Sequence, residues 1–427
     1  MKSLLILISV IICLLLNHKK NKSIFNLVGI FLMFWGGFGF LSSLSLYGLN
    51  EISYTTTFLI VGAMYAFTIV GLAFPSVNKV NIDWEKLKED YSNKEALSSH
   101  KLITFLNLAA YAFSIPYLIK AVGVIQNYGF EVLRTYAFVG SEQFASTKVL
   151  TLFQYVISPL FVATMIVTAM DISMKRKATR GIIMTVVGTS LYTVLFGGRY
   201  LLFQTLIVFI SAFYLNYTGT IRSFLKRNKK LLVFVLILVV GMAIITSLRP
   251  SGGMIRSIYL YFSGPFAYLD VLLRDTAFTK MGLNGIATFG FIHDFILYIL
   301  VFLVGVSPYY GASYQITQVT GKARVIGDGI TFNSLGTMYT AFIPDFGIYF
   351  SLIGVFIFAI ILCVVEKRFS KKPSLFRYSV YLYAIYVVVN AVLSYSLLKF
   401  SSLILILYLA LFTGAVKIKF GNRIRLN

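Results

Sequence analysis

Residues 247–273 read SLRPSGGMIRSIYLYFSGPFAYLDVLL. The stretch closes an apolar run with Arg249 and Pro250, turns at Ser251-Gly252-Gly253 and adds Arg256. It then re-enters apolar sequence interrupted by Ser263-Gly264-Pro265 and Asp270. A helix surrounded by lipid has no use for these residues, because charge and unpaired backbone are costly there. If the stretch crosses a membrane, the chain is a plain series of spans. If it does not, a large outer segment begins here, and the remaining sequence must say what Arg249 and Arg256 serve.

Composition sets the class. Of 427 residues, 58% are hydrophobic, 16% aromatic and only 12% charged, with a mean hydropathy of +0.83. That is too little polar residue to cover a soluble surface of this size. A polytopic all-α membrane protein follows, since helices satisfy their own backbone in lipid. The run Leu4 to Leu16 has no small-residue cleavage site before the next apolar run and reads as a short helix. Both cysteines, Cys13 and Cys363, lie inside apolar runs and imply neither a disulfide framework nor a metal site.

The net charge of +23 is informative through its placement. Basic residues gather in five short polar segments: Lys19 to Lys22, Lys175 to Arg180, Arg222 to Lys230, Lys367 to Arg377, and the tail from Lys417 to Arg425. By the positive-inside rule all five face the cytoplasm. Topology and attraction to anionic membrane lipid account for the charge, so no nucleic-acid partner is invoked.

Eleven spans are expected, at roughly 4–16, 25–46, 54–74, 102–121, 149–170, 182–197, 200–218, 231–248, 335–365, 378–398 and 401–416. They form one integral membrane domain over 1–427, with the N-terminus outside and the C-terminus cytoplasmic. Residues 75–101 balance five lysines against five acids and read as a solvated cytoplasmic connector. Two apolar pieces, 255–273 and 291–306, satisfy the charge rule if both cross, giving thirteen spans, or if neither does. The first is broken by Ser263-Gly264-Pro265 and Asp270 and the second carries His293 and Asp294, at about 3 kcal/mol or more per charge at the bilayer centre. We therefore expect two partly embedded helices within one large outer segment, 249–334.

That topology leaves several cations on the disfavoured outer side, among them Arg134, Arg199, Arg249, Arg256, Arg274, Lys322 and Arg324. Snorkelling to headgroups or pairing with acids explains such residues as readily as function does. Arg199 stands out because it follows Gly197-Gly198 at a tight outer turn. Arg249 precedes Pro250 at a span end, and Arg256 lies just past the Gly-Gly turn. Converging guanidinium groups suit a diphosphate, whose oxygens their planar forks bind in pairs.

Gly197-Gly198-Arg199, Leu248-Arg249-Pro250, Tyr261-Phe262-Ser263-Gly264-Pro265 with Asp270, Gly285 with Thr288-Phe289, and Asn333 with Tyr339 and Asp345-Phe346-Gly347 together resemble the bacterial oligosaccharide repeat-unit polymerases, the Wzy-type O-antigen and capsule polymerases. The resemblance covers most of the chain in topology and about half of it in motifs. It implies an enzyme of the bacterial cytoplasmic membrane that transfers a glycan from undecaprenyl diphosphate to a sugar hydroxyl of another lipid-linked repeat unit on the outer face. Such an enzyme needs no sugar nucleotide, metal or other cofactor, and a chain-length regulator is a candidate partner.

That chemistry requires charge stabilisation at the leaving diphosphate and activation of one hydroxyl. Arg199 and Arg249 are the candidate clamp, with Arg256 and Arg134 in support and Asn333 and Tyr339 as further substrate-binding candidates. His293 is the candidate general base, its ordinary pKa of about 6.5 suiting the role. Its plainer alternative is a local cap on a half-buried helix. Asp345 is a second candidate base or a group orienting an arginine, and equally an N-cap for the span behind it. Tyr259, Tyr261, Tyr309, Tyr310 and Tyr314 fit sugar stacking or an interfacial aromatic belt. An O-antigen ligase shares this layout. A flippase would place cations at mid-membrane depth and show repeated halves, which the sequence lacks.

Overall fold

The computed structural model describes residues 1–74, 94–139, 141–174, 178–196, 198, 200–215, 253–304, 311–332 and 336–416, together with positions 76, 77, 82, 84, 85, 87, 89, 236 and 240. The chain is mostly helical. Among the described residues, six helices are long and apolar enough to cross a membrane: Lys2–Asn21, Tyr54–Ala73, His100–Tyr128, Thr147–Ser173, Thr179–Phe196 and Tyr339–Lys371. Shorter apolar helices cover Leu27–Ser43, Tyr200–Leu215, Gly290–Leu300, Leu375–Asn390 and Ser401–Phe412. Ten of the eleven expected spans thus coincide with an apolar helix, and 231–248 lies outside the described residues apart from two positions.

Three details depart from the sequence reading. The 4–16 run is the middle of a 20-residue helix whose last turn carries His18, Lys19 and Lys20, where cations favour the helix dipole. The connector expected over 75–101 ends early, because Lys94 already begins the helix that runs to Tyr128. The all-α expectation also misses an antiparallel hairpin, Arg324–Gly327 paired with Ile330–Phe332. Valine, isoleucine, threonine and phenylalanine around Asp328-Gly329 favour such a turn.

The single membrane domain expected over 1–427 is built as two compact units. One comprises Met1–Asn81, Ser251–Lys372 and Ala384–Leu403; the other comprises Ile82–Pro250, Pro373–Tyr383 and Ile404–Asn427. In the second unit, polar side chains tie apolar helices together. Asn107 donates to Thr164 at 2.8 Å, Thr185 to Thr168 at 3.2 Å, and Tyr111 to the Met184 carbonyl at 2.7 Å. In hydrocarbon, where helices gain little from apolar contact alone, such bonds help to specify pairing.

The first unit is centred on Trp35, which has no exposed surface and donates to the Ile60 carbonyl at 3.1 Å. Phe31, Phe266 and Tyr339 surround its ring at 5.5, 5.0 and 5.8 Å. The helix Tyr54–Ala73 packs closely on Tyr339–Lys371, because Gly62 leaves room for Leu352. One end of this unit is basic: Lys20 reaches the Leu72 carbonyl, Lys367 lies 5.4 Å from the Phe74 ring, and Val77 N–H donates to the buried Glu366 at 3.1 Å. The opposite end gathers Lys2, Glu51, Ser53 and Asp270.

The stretch quoted at the outset forms one continuous helix, Met254–Leu272, entered through Gly253 at φ 116°, a backbone angle that favours glycine. Its Ser263-Gly264-Pro265 interruption does not break the helix. Gly264 instead makes room for the hairpin's Phe332, whose ring would stand 2.9 Å from any added Cβ.

Candidate functional site

Three buried aspartates organise the first unit away from its Lys20–Lys367 end. Asp270, 4% exposed, accepts from Ser53 N–H at 2.8 Å, Thr56 hydroxyl at 2.6 Å and Arg274 at 2.8 Å. It thereby satisfies free donors at the start of helix Tyr54–Ala73. Asp345, 6% exposed, accepts from Ala287 N–H at 3.0 Å and from Thr288 N–H and hydroxyl, both at 2.6 Å. Asp294, 1% exposed, accepts from Ala312 N–H at 3.0 Å, from Ser313 N–H at 3.4 Å and from the Ser313 hydroxyl. It caps the helix Ala312–Thr320, and its fourth partner is His293 Nδ1 at 3.2 Å.

Irregular backbone surrounds these carboxylates. Helix Tyr339–Lys371 is broken at Gly347, with φ 74° and ψ 175°, a conformation open essentially to glycine alone. Between Asn390 and Ser401 the chain leaves the helix and returns, with residues 391–393, 395, 397 and 398 buried. Its backbone is stitched to the 336–346 segment by Thr337 N–H to the Leu393 carbonyl at 3.1 Å and Met338 N–H to the Ala391 carbonyl at 2.8 Å. Tyr395 hydroxyl donates to the Thr288 carbonyl at 2.9 Å. Non-helical backbone among membrane helices is tolerated where protein buries it or where it lines a cavity.

The residues singled out in the sequence fare differently. His293 is on the first turn of the helix Gly290–Val304, its side chain 32% exposed, with Nδ1 against Asp294 and no described partner at Nε2. A carboxylate on one ring nitrogen sets the tautomer and leaves the other nitrogen to take a proton. Arg256, in the first turn of its helix, is half-buried, and its Nε is buried without a hydrogen-bond partner. Arg199, Arg249 and Asn333 lie outside the described residues. Arg134 falls in the helix Phe130–Val139, with its side chain outside what is described.

Asp345 does not cap the span behind it. Its carboxylate is occupied by the turn that precedes Gly290, and that turn's Leu283 N–H also bonds to the Pro344 carbonyl at 2.8 Å. Tyr339 offers no surface to a substrate: it is completely buried, and its hydroxyl donates to the Leu59 carbonyl at 2.8 Å. Tyr259 is similarly engaged, donating to the Leu41 carbonyl and accepting from Leu46 N–H. Tyr309 and Tyr310 lie outside the described residues.

Sequence reasoning overlooked Asp294 as a working residue, treating it only as a charge that disfavours crossing. The available signal was its place beside His293. Beside the hairpin, Asp275 pairs with Arg324. Burial works to raise the Asp275 carboxyl, but hydrogen bonds from Arg324 and Ala277 N–H, with the guanidinium charge, outweigh it and hold it below the usual carboxylate range. Among the described residues no group of three or more histidines, cysteines or acids is placed to hold a metal ion. No family model, curated protein or solved structure matches the chain.

Proposed function

We propose that this protein is a membrane glycosyltransferase that joins undecaprenyl-diphosphate-linked oligosaccharide repeat units into a surface polysaccharide at the outer face of a bacterial cytoplasmic membrane. The observation that carries the reading is the His293–Asp294 pair, a half-exposed imidazole oriented by a buried carboxylate at the end of the unit opposite its basic end. The resemblance of the sequence to Wzy-type polymerases supplies the substrate class.

In this reaction His293 Nε2 accepts the proton of an acceptor sugar hydroxyl as its oxygen attacks the donor's anomeric carbon. Asp294 holds the ring and stabilises the imidazolium that forms. The diphosphate departs with the bonding electron pair, and cations must meet the charge that develops there. Arg256 supports that role, because a buried guanidinium nitrogen without a partner is costly unless a ligand supplies one. Arg199 and Arg249 remain the proposed clamp. Asp345 is assigned a positioning role: by holding Ala287 and Thr288 it sets the entry of the helix that carries His293.

Reconstitution tests the reading. Purified protein in proteoliposomes, supplied with undecaprenyl-diphosphate-linked repeat units, should yield elongated glycan, and His293→Ala should abolish it with the protein still folded. Absence of elongation together with movement of the units between leaflets would replace the enzyme with a flippase.

A further inference from the structure

The helix Gly290–Val304 lies against the broken stretch between Asn390 and Ser401. A Cβ on Gly290 would come 2.3 Å from the Leu398 carbonyl oxygen, and the Tyr298 ring stands 4.9 Å from that of Phe400. Gly290, Asp294 and Tyr298 are spaced by four and share one helix face. Asp294 therefore sits midway between contacts to residues 398 and 400, opposite Lys399. The sequence reading passed over this lysine, which falls between two apolar runs.

Lys399 is exposed, and its side chain makes no hydrogen bond or ion pair among the described residues. Asp294 is near enough for its charge to favour the ammonium form, yet its oxygens are taken up by Ala312, Ser313 and His293. Although the side chain is accessible, desolvation by surrounding protein is the larger influence and lowers its pKa. An accessible cation held beside a histidine–aspartate pair by the packing of Gly290 on Leu398 and Tyr298 on Phe400, with no anion at contact distance among the described residues, is suited to an anionic ligand.

We propose that Lys399 is a diphosphate-binding cation of the His293–Asp294 site. This assignment rests on the glycosyltransferase reading and adds to it a residue that touches the donor. In the transfer, the acceptor oxygen bonds to the anomeric carbon and the bond from that carbon to the diphosphate oxygen breaks. The electron pair leaves with the diphosphate, the proton goes to His293 Nε2, and the new charge on the leaving oxygen meets the Lys399 ammonium. A lysine suits this position as a compact point charge on a flexible stem that can follow the group as it departs.

Two readouts on the full chain in nanodiscs separate this proposal from the reading beneath it. The first is binding of undecaprenyl diphosphate itself. Lys399→Ala should weaken it about tenfold or more, and Lys399→Arg should restore much of the loss. The second is glycan elongation, in which Lys399→Ala should raise the donor KM as well as lower the rate. Because the side chain is exposed and without described bonds, Lys399→Ala should keep the wild-type melting temperature, with Lys399→Gln as the alternative variant if it does not. Unchanged diphosphate binding in a folded Lys399 variant overturns the proposal, whether or not the wild type elongates glycan. Lysine-dependent binding by a wild-type protein that never elongates supplied units would uphold the binding site and remove the glycosyltransferase reading.

Discussion

Asp294 and Asp345 are both buried carboxylates that accept backbone N–H bonds, but only Asp294 also touches an imidazole. The two should therefore fail differently. Asp345→Ala strands the donors of Ala287 and Thr288 in the interior and should cost about 2–4 kcal/mol of stability, read as a lowered melting temperature in detergent. Asp294→Asn keeps an acceptor for the cap of Ala312–Thr320 while weakening the hold on His293. Elongation should then fall roughly a hundredfold in a protein that still folds, measured by initial rates. Wild-type rates in Asp294→Asn would remove the pair from the mechanism. Apart from the place of Asp294 beside His293, the sequence does not mark the roles of these acids, since their backbone donors are 18 or more residues away along the chain.

Among the elements, the hairpin Arg324–Phe332 is fastened at several points. Asp275 grips Arg324, Phe332 fits over Gly264, and Asn50 N–H and Asp328 N–H bond to the Ile326 and Gly48 carbonyls at 2.9 and 2.8 Å. The Asp275 fastening carries a pH dependence of definite sign. Its folded carboxyl lies below the unfolded value of about 3.9, so the stabilisation is complete above that value and is lost as pH falls through the folded pKa. Hydrogen exchange at residues 324–332 should quicken as pH is lowered from about 5 towards 3, after correction for intrinsic exchange rates. Asp275→Asn should show faster exchange already at pH 5 and a smaller further change on acidification. An identical pH profile in the variant would place the fastening elsewhere. The sequence reading named Arg324 among the outer cations but not its acid, because the pair is 49 residues apart.

At the scale of the whole molecule, the expected topology places the C-terminal tail in the cytoplasm and residues 249–334 outside. Cysteine substituted at exposed Lys322 should react with a membrane-impermeant maleimide in intact cells, whereas cysteine at Arg425 should react only after lysis. The reverse pattern would invert the protein and move His293 to the wrong side for an outer-face reaction. Much of the architecture was already legible in composition and hydropathy, which marked the apolar runs, their polar boundaries and the oddity of 247–273. A helix in lipid satisfies its own backbone, so its existence can be read from local sequence alone. The hairpin, the break at Gly347 and the pairings of Asp270, Asp294 and Asp345 depend on partners far away in the chain. No local pattern separates a carboxylate that caps a helix from one that orients a base. Those assignments, and the place of Lys399 opposite Asp294, were decided only when the tertiary fold brought residues 290–298 against residues 398–400.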